Sequence, residues 1–223
     1  MKRQTLLAST NPGKLAELSE LLGTLNEQIE WHTLKDFPGV KEVLEDGNTF
    51  SENARKKALG YAKATGLWTI ADDSGLVIDA LDGKPGVYSA RYAMLENSPP
   101  AKGEYPERGK GYKDHSNLDI ANYKKVLSEL KDIPDDKRTA RFMCCLCIAS
   151  PDKVLLETEG TVEGVINHGP IGKNGFGYDP IFYIPSLNKT AAQLGAQEKN
   201  RISHRGNAIR KLKPFLEDLL WAN

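Results

Sequence analysis

Cysteine is scarce: of 223 residues only Cys144, Cys145 and Cys147 are cysteines, and all three fall in one apolar run. Neighbouring side chains on a strand point to opposite faces, so residues placed like this make poor disulfide partners. They are expected to be small buried apolar residues on a strand. An excess of charge of either sign is also lacking. Lys and Arg number 30 and Asp and Glu number 30, a formal net charge of zero. That argues against a protein built to coat nucleic acid or an anionic membrane. The longest mostly apolar run, FMCCLCIA at 142–149, falls far short of the ~20 residues a membrane helix needs. The opening MKRQTLLAST reaches polar residues too soon for a signal peptide, so the cytoplasm is the expected compartment. Internal repeats and low-complexity linkers are missing as well. What remains is ordinary globular material: 39% hydrophobic and 27% charged residues, enough for a core with a soluble surface. At about 150 residues per domain, the length allows one large domain or two closely joined lobes.

The segment RQTLLAS at 3–9 reads as a short buried strand. Asn11 is a natural N-cap and Pro12 suits the first helical position. Leu15, Leu18, Leu21 and Leu22 then follow helical spacing up to Gly23. A second strand is expected near 28–34. Thr49 and Glu52 have the spacing of a capping box for a helix to about Thr65, closed by Gly66. LWTIA at 67–71 reads as a strand entering a turn at Asp72-Asp73-Ser74-Gly75, with extended structure resuming at 76–81. Residues 95–116, rich in Pro, Gly and charge, read as a surface insertion. A helix over 117–131, a hairpin of 141–150 with 154–160, a glycine-rich loop at 167–177 and a strand at 179–185 follow. The tail from Ser203 is helical, with Ile209, Leu212, Phe215, Leu216 and Leu219 on one face, and Pro214 predicts a kink or a restart. Strands and helices alternate early and strands cluster late, which suggests a mixed-sheet α/β protein.

Four clusters could carry chemistry. The loop Ser9-Thr10-Asn11-Pro12-Gly13-Lys14 leads into a helix whose free N–H groups favour anions, with Lys14 adding positive charge. It is not a Walker loop. Asp72 and Asp73 could converge if they lie in a turn and would diverge on a strand. Carboxylates of this kind suit Mg²⁺, which usually keeps several waters. In Gly175-Phe176-Gly177-Tyr178-Asp179-Pro180 the glycines let backbone approach a ligand, the aromatics offer stacking surfaces, and Asp179 could accept a base N–H. The run from Glu198 to Lys213 concentrates Lys199, Arg201, His204, Arg205, Arg210, Lys211 and Lys213. Read alone, each cluster has a plain alternative: a capped helix, an Asx-type turn, a glycine loop with core aromatics, and a solvated basic helix face.

Together and in this order, the clusters resemble the inosine triphosphatase-like family, the XTP/dITP diphosphatases. The resemblance is carried by LLASTNPGKLAEL at 6–18, TFSENARKKA at 49–58 and TIADDSGLVIDALDGKPGVYSARYA at 69–93. NGFGYDPIFYIPSLNKTAAQL at 174–194 and EKNRISHRGNAI at 198–209 extend it over nearly the whole chain. It implies an elongated two-lobed α/β fold on a long twisted mixed β-sheet with flanking helices, the nucleotide in a cleft between the lobes, and a homodimer. It implies that Ser9, Thr10, Asn11 and Lys14 line the triphosphate site and that Lys57 contacts phosphate. Asp73 would be proton acceptor and Mg²⁺ ligand, with Asp72 beside it and Ser74 touching substrate. Phe176, Gly177, Tyr178 and Asp179 would hold the base, and Lys199, His204 and Arg205 would complete the base and phosphate contacts. Two departures stand out. Leu44 occupies a position where relatives often carry an acid, which makes Glu45 the expected replacement ligand. The stretch 95–116 is longer than is common.

The activity implied is hydrolysis of dITP, ITP or XTP to the monophosphate and pyrophosphate, with Mg²⁺ as cofactor. Neither nucleic acid nor membrane is an expected partner. Inosine and xanthosine present a 6-oxo acceptor where adenine presents a 6-amino donor. Donors from His204 and Arg205 would pair with the oxo group, and each buried donor left facing adenine costs ~1–3 kcal/mol. Three other readings stay open: a Maf-like pyrophosphatase of different base preference, a nucleic-acid-binding protein using the basic run, and a binding module whose catalysis was lost, for which Leu44 is the support.

Overall fold

The computed structural model describes residues 2–95 and 115–221. Strand β1 (Arg3–Ala8) leads into helix α1 (Pro12–Leu22), whose N-cap Asn11 accepts the Lys14 N–H at 3.0 Å. Gly23 ends α1 in a right-handed conformation (φ −56°) that runs on into a short 3₁₀ turn. Strand β2 (Ile29–Thr33) follows. Helix α2 (Phe50–Thr65) is capped by Thr49, whose hydroxyl accepts the Glu52 N–H at 3.1 Å, and closed by left-handed Gly66 (φ 74°). The Glu52 carboxylate returns to the N–H of Asn48, one residue before the cap.

Strand β3 (Trp68–Ile78) is uninterrupted, so the expected turn at 72–75 is corrected to strand. Helix α3 (His115–Glu129), strands β4 (Thr139–Ala149) and β5 (Val154–Ile166), and short strands β6 (Phe182–Ile184) and β7 (Lys189–Thr190) come next. Helix α4 (Ala196–Ile202) was not expected, and α5 (His204–Trp221) completes the order. α5 passes through Pro214 as one element, so there is no restart, and Phe215 is exposed rather than part of the buried face. Of the stretch 95–116, residues 96–114 lie outside those described.

The sheet order is β2-β1-β3-β4-β5-β6-β7. β1 runs parallel to β2 and β3, and β6 runs antiparallel to β5 and β7, so the sheet is mixed and the class is α/β, as the alternation of elements suggested. Among the described residues no helix is long and apolar enough to cross a membrane. The three cysteines are free and buried on β4.

The chain divides into two compact units. The first comprises residues 1–74, 143–161 and 200–223, and the second 75–142 and 162–199. In the first, Leu7, Ile70, Cys144, Leu146 and Ile148 from the strands pack with Leu18 and Leu22 of α1 and with Ile209, Leu212 and Leu216 of α5. In the second, buried Arg138 donates to the carbonyls of Leu130 (2.6 Å), Ile166 (2.7 Å) and Asn167 (3.2 Å), tying the end of α3 to the start of the glycine-rich loop.

Candidate active site

In the first unit the pleat of β3 sends its two neighbouring aspartates to different partners. Asp72 meets α1 and α5. Its Oδ1 lies 2.5 Å from Lys14 Nζ and accepts the Ser74 hydroxyl at 3.3 Å. Its Oδ2 accepts Arg205 Nε and Cys144 Sγ, each at 3.0 Å. Arg205 spends its other nitrogens on Glu17 and on Ser74 Oγ, the latter at 2.8 Å. Burial pushes the Asp72 carboxyl up, but the charges of Arg205, Lys14 and Lys57 outweigh it and hold the group well below the usual carboxylate range. Burial likewise opposes charge on Arg205, and Asp72 and Glu17 more than offset it.

Asp73 meets α2. Asn53 Nδ2 donates to its Oδ2 at 3.1 Å, and Lys57 Nζ lies 3.5 Å from its Oδ1. The same ammonium donates to Glu45 Oε2 at 2.9 Å and to the Asp72 carbonyl at 2.6 Å. Burial raises the Asp73 carboxyl; Lys57 and Lys14 pull it down, Glu45 and Asp72 push it up again, and the net direction is upward. Leu44 is 54% exposed, so the apolar residue faces outward while its neighbour Glu45 reaches Lys57.

A single ammonium thus sits among two carboxylates and a carbonyl, the hard oxygen donors that a small divalent cation takes. Lys14, Lys57 and Arg205 are paired here with Glu17, Glu45, Asp72 and Asp73. Glu45 and Asp73 fit the expected Mg²⁺ role. Asp72 suits it less, because its charge is already matched by two cations, Lys14 and Arg205. Among the described residues no three His, Cys, Asp or Glu side chains group as a metal cage. Mg²⁺ needs none, since it commonly takes one or two carboxylates together with waters and phosphates.

At the start of α1, Ser9 Oγ accepts the Asn11 N–H at 3.2 Å and Thr10 is exposed. At the start of α5, Ser203 Oγ accepts the Gly206 N–H at 3.1 Å, which sets buried His204 and Arg205 in the first turn. The run 198–213 does not form one basic face. Lys199 pairs with Asp179 and Arg205 with Asp72 and Glu17, so its most buried cations are neutralised within the chain.

In the second unit Lys199 lies 4.8 Å from the Phe176 ring centroid and pairs with Asp179. Asp179 Oδ2 also accepts the Phe176 N–H at 2.9 Å. Gly175 (φ 74°) is required here, because an added Cβ would lie 2.0 Å from that carboxylate. The Tyr178 hydroxyl donates to the Ser89 carbonyl at 2.8 Å, and its buried side chain therefore supports the loop from beneath. Sequence reasoning missed Glu17, Asn53 and Asp119. Glu17 lies three residues after Lys14 on α1 and Asn53 four before Lys57 on α2, spacings that place each pair on one helix face. No local signal marks Asp119.

A mixed α/β sheet thus carries buried carboxylates and lysines beside a capped helix start, groups of the kind an enzyme acting on phosphorylated substrates uses. The chain belongs to the Ham1 family, which it matches over residues 5–215. It is 46% identical over 214 residues to the dITP/XTP pyrophosphatase of Desulforamulus reducens, covering 96% of each chain. The same identity, length and coverage hold for the dITP/XTP pyrophosphatase of Shouchella clausii. The structure of a HAM1 protein from Coxiella burnetii superposes with a TM-score of 0.78 at 42% identity, over 97% of this chain and 99% of that one. The family resemblance drawn from the motifs is borne out.

Proposed function

We propose that this chain is a nucleoside triphosphate pyrophosphatase that hydrolyses dITP, ITP and XTP to the monophosphate and pyrophosphate. The observation that carries the reading is the Asp73–Glu45–Lys57 constellation, in a chain whose near full-length relatives bear the name dITP/XTP pyrophosphatase. Glu45 and Asp73 would hold Mg²⁺, which when bound supplies neutralisation of phosphate charge and a more acidic water.

The chain's own groups supply the rest. Asp73, with its carboxyl raised, is the proposed acceptor of the proton from the attacking water, and Asn53 fixes its orientation. Oxygen bonds to the α-phosphorus, the link to the bridging α–β oxygen breaks, and pyrophosphate leaves. Lys57 and Lys14 offset phosphate charge, and Ser9, Thr10 and Asn11 line the triphosphate site at the start of α1, with the Ser9 and Asn11 N–H groups bonded within the chain. Arg205 acts through Asp72 and Ser74, its nitrogens being engaged there. Phe176 is the proposed stacking surface for the base, with Gly177, Tyr178, Asp179 and Lys199 shaping its loop, and His204 is the proposed donor to the 6-oxo group. A cytoplasmic homodimer that takes no nucleic acid completes the reading.

The test is pyrophosphate release from ITP, XTP, dITP, GTP and ATP with Mg²⁺ and with EDTA. The expected result is fast, metal-dependent release from the first three and at least about tenfold slower release from ATP, the size of one mismatched buried donor. Equal rates on all five would overturn the assignment of base selectivity, and no release from any would overturn the function.

A further inference from the structure

Phe176 and Gly177 offer consecutive backbone N–H groups between glycines in the left-handed region (Gly175 φ 74°, Gly177 φ 62°). Such N–H pairs commonly form anion-binding nests. Here both are occupied by carboxylates of the chain. The Phe176 N–H donates to Asp179 at 2.9 Å, and the Gly177 N–H donates to Asp119 Oδ2 at 2.7 Å. The loop therefore does not present this nest to phosphate, and its chemistry toward a nucleotide rests on the half-buried Phe176 ring beside Lys199.

Asp119 comes from α3, and α3 is itself fixed. Asn122 Oδ1 accepts the Ala93 N–H at 2.7 Å, and Arg138 holds the Leu130 carbonyl just beyond the helix end at 2.6 Å. Gly177 has no atom within 4 Å of where a Cβ would stand. The Gly177 N–H donating to Asp119, together with the Asp179 N–H donating to the Phe176 carbonyl at 3.2 Å, orients the peptide between Phe176 and Gly177. We infer that Asp119 is a positioning residue for base recognition, holding the Phe176 ring at its proper angle through the Gly177 N–H. The inference rests on the stacking role proposed above for Phe176.

The test compares wild type with Asp119→Ala and Asp119→Asn in the full chain, using ITP as substrate. Inorganic tripolyphosphate, which has no base, serves as competitive inhibitor. Asp119→Ala is expected to raise the KM for ITP about tenfold, or about 1.4 kcal/mol, with kcat and the tripolyphosphate inhibition constant both nearly unchanged. Asp119→Asn keeps an acceptor oxygen and should restore most of the KM. Should Asp119→Ala not fold, Asp119→Ser, too short to reach Gly177, takes its place. A loss shared by kcat, the inhibition constant and thermal stability would mark Asp119 as merely structural and overturn the inference. An unmoved KM overturns it as well. A wild type inactive on ITP overturns the reading of the site and this inference with it, whereas an active wild type with an unmoved variant sinks the inference alone.

Discussion

Asp73→Asn is expected to lower ITP turnover by about a thousandfold, in the range of a lost general base, while the variant melts at the same temperature as wild type or above it. The two halves of this result share one cause. Burial raises the Asp73 carboxyl, with Glu45 and Asp72 adding to the shift, and Lys57 and Lys14 do not cancel it. A carboxyl whose folded pKa lies above the unfolded value of about 3.9 stabilises the fold below that value and loses this contribution as pH rises through the folded pKa. At neutral pH the ionised group is therefore a net cost to folding, and a neutral amide removes it. The neighbours tolerate the exchange. Asn53 still finds an oxygen acceptor, and Lys57 keeps Glu45 at 2.9 Å and the Asp72 carbonyl at 2.6 Å. Pyrophosphate release and thermal melting at pH 7 and pH 5 check both halves. The stability gap should shrink as pH falls through the folded pKa of the wild-type carboxyl. An active variant would remove Asp73 as the base, and a variant that melts far lower would contradict the sign of the shift.

Most of what positions this site is local chemistry and was legible as such. Asn11 and Pro12 mark the start of α1, Thr49 and Glu52 the start of α2, and Gly66 its end. The main misreading is instructive. Asp, Ser and Gly are poor strand residues, so Asp72-Asp73-Ser74-Gly75 reads as a turn. Tertiary partners override that propensity. Lys14 and Arg205 take Asp72, Asn53 and Lys57 take Asp73, and Gly75 is needed because a Cβ there would lie 2.3 Å from Ser89 Oγ. All of these partners lie on other elements, and no pattern around residue 72 announces them. The strand has a functional consequence that a turn would not. It separates the two carboxylates into one that is neutralised and one that is kept under strain. The basic run 198–213 was misjudged for a similar reason, since its composition is visible but not the carboxylates of Asp179, Asp72 and Glu17 that absorb its buried cations.

The second large effect falls on Asp72, one residue away and opposite in sign. Asp72→Ala leaves Arg205 and Lys14 facing a cavity, with Glu17 still paired to Arg205, and breaking a buried ion pair by removing one partner costs about 3–5 kcal/mol. Asp72→Asn retains one acceptor oxygen and should cost less, which separates the lost charge from the lost volume. Because the folded Asp72 carboxyl is held well below its ordinary range, its contribution is present above the unfolded pKa of about 3.9 and is lost only as pH falls through the folded value. Urea unfolding between pH 7 and strongly acidic pH should therefore show wild type and Asp72→Asn far apart at neutral pH and converging only in strong acid. The Asp73→Asn pair should converge at a higher pH than the Asp72 pair. Cys144 sharpens the contrast. Burial, reinforced by Asp72, pushes its thiol well above its usual range, so it stays a neutral donor to Oδ2 throughout. If Asp72→Ala unfolds at the wild-type urea concentration, the network around Arg205 does not hold the first unit together, and Asp72 must act on the substrate directly.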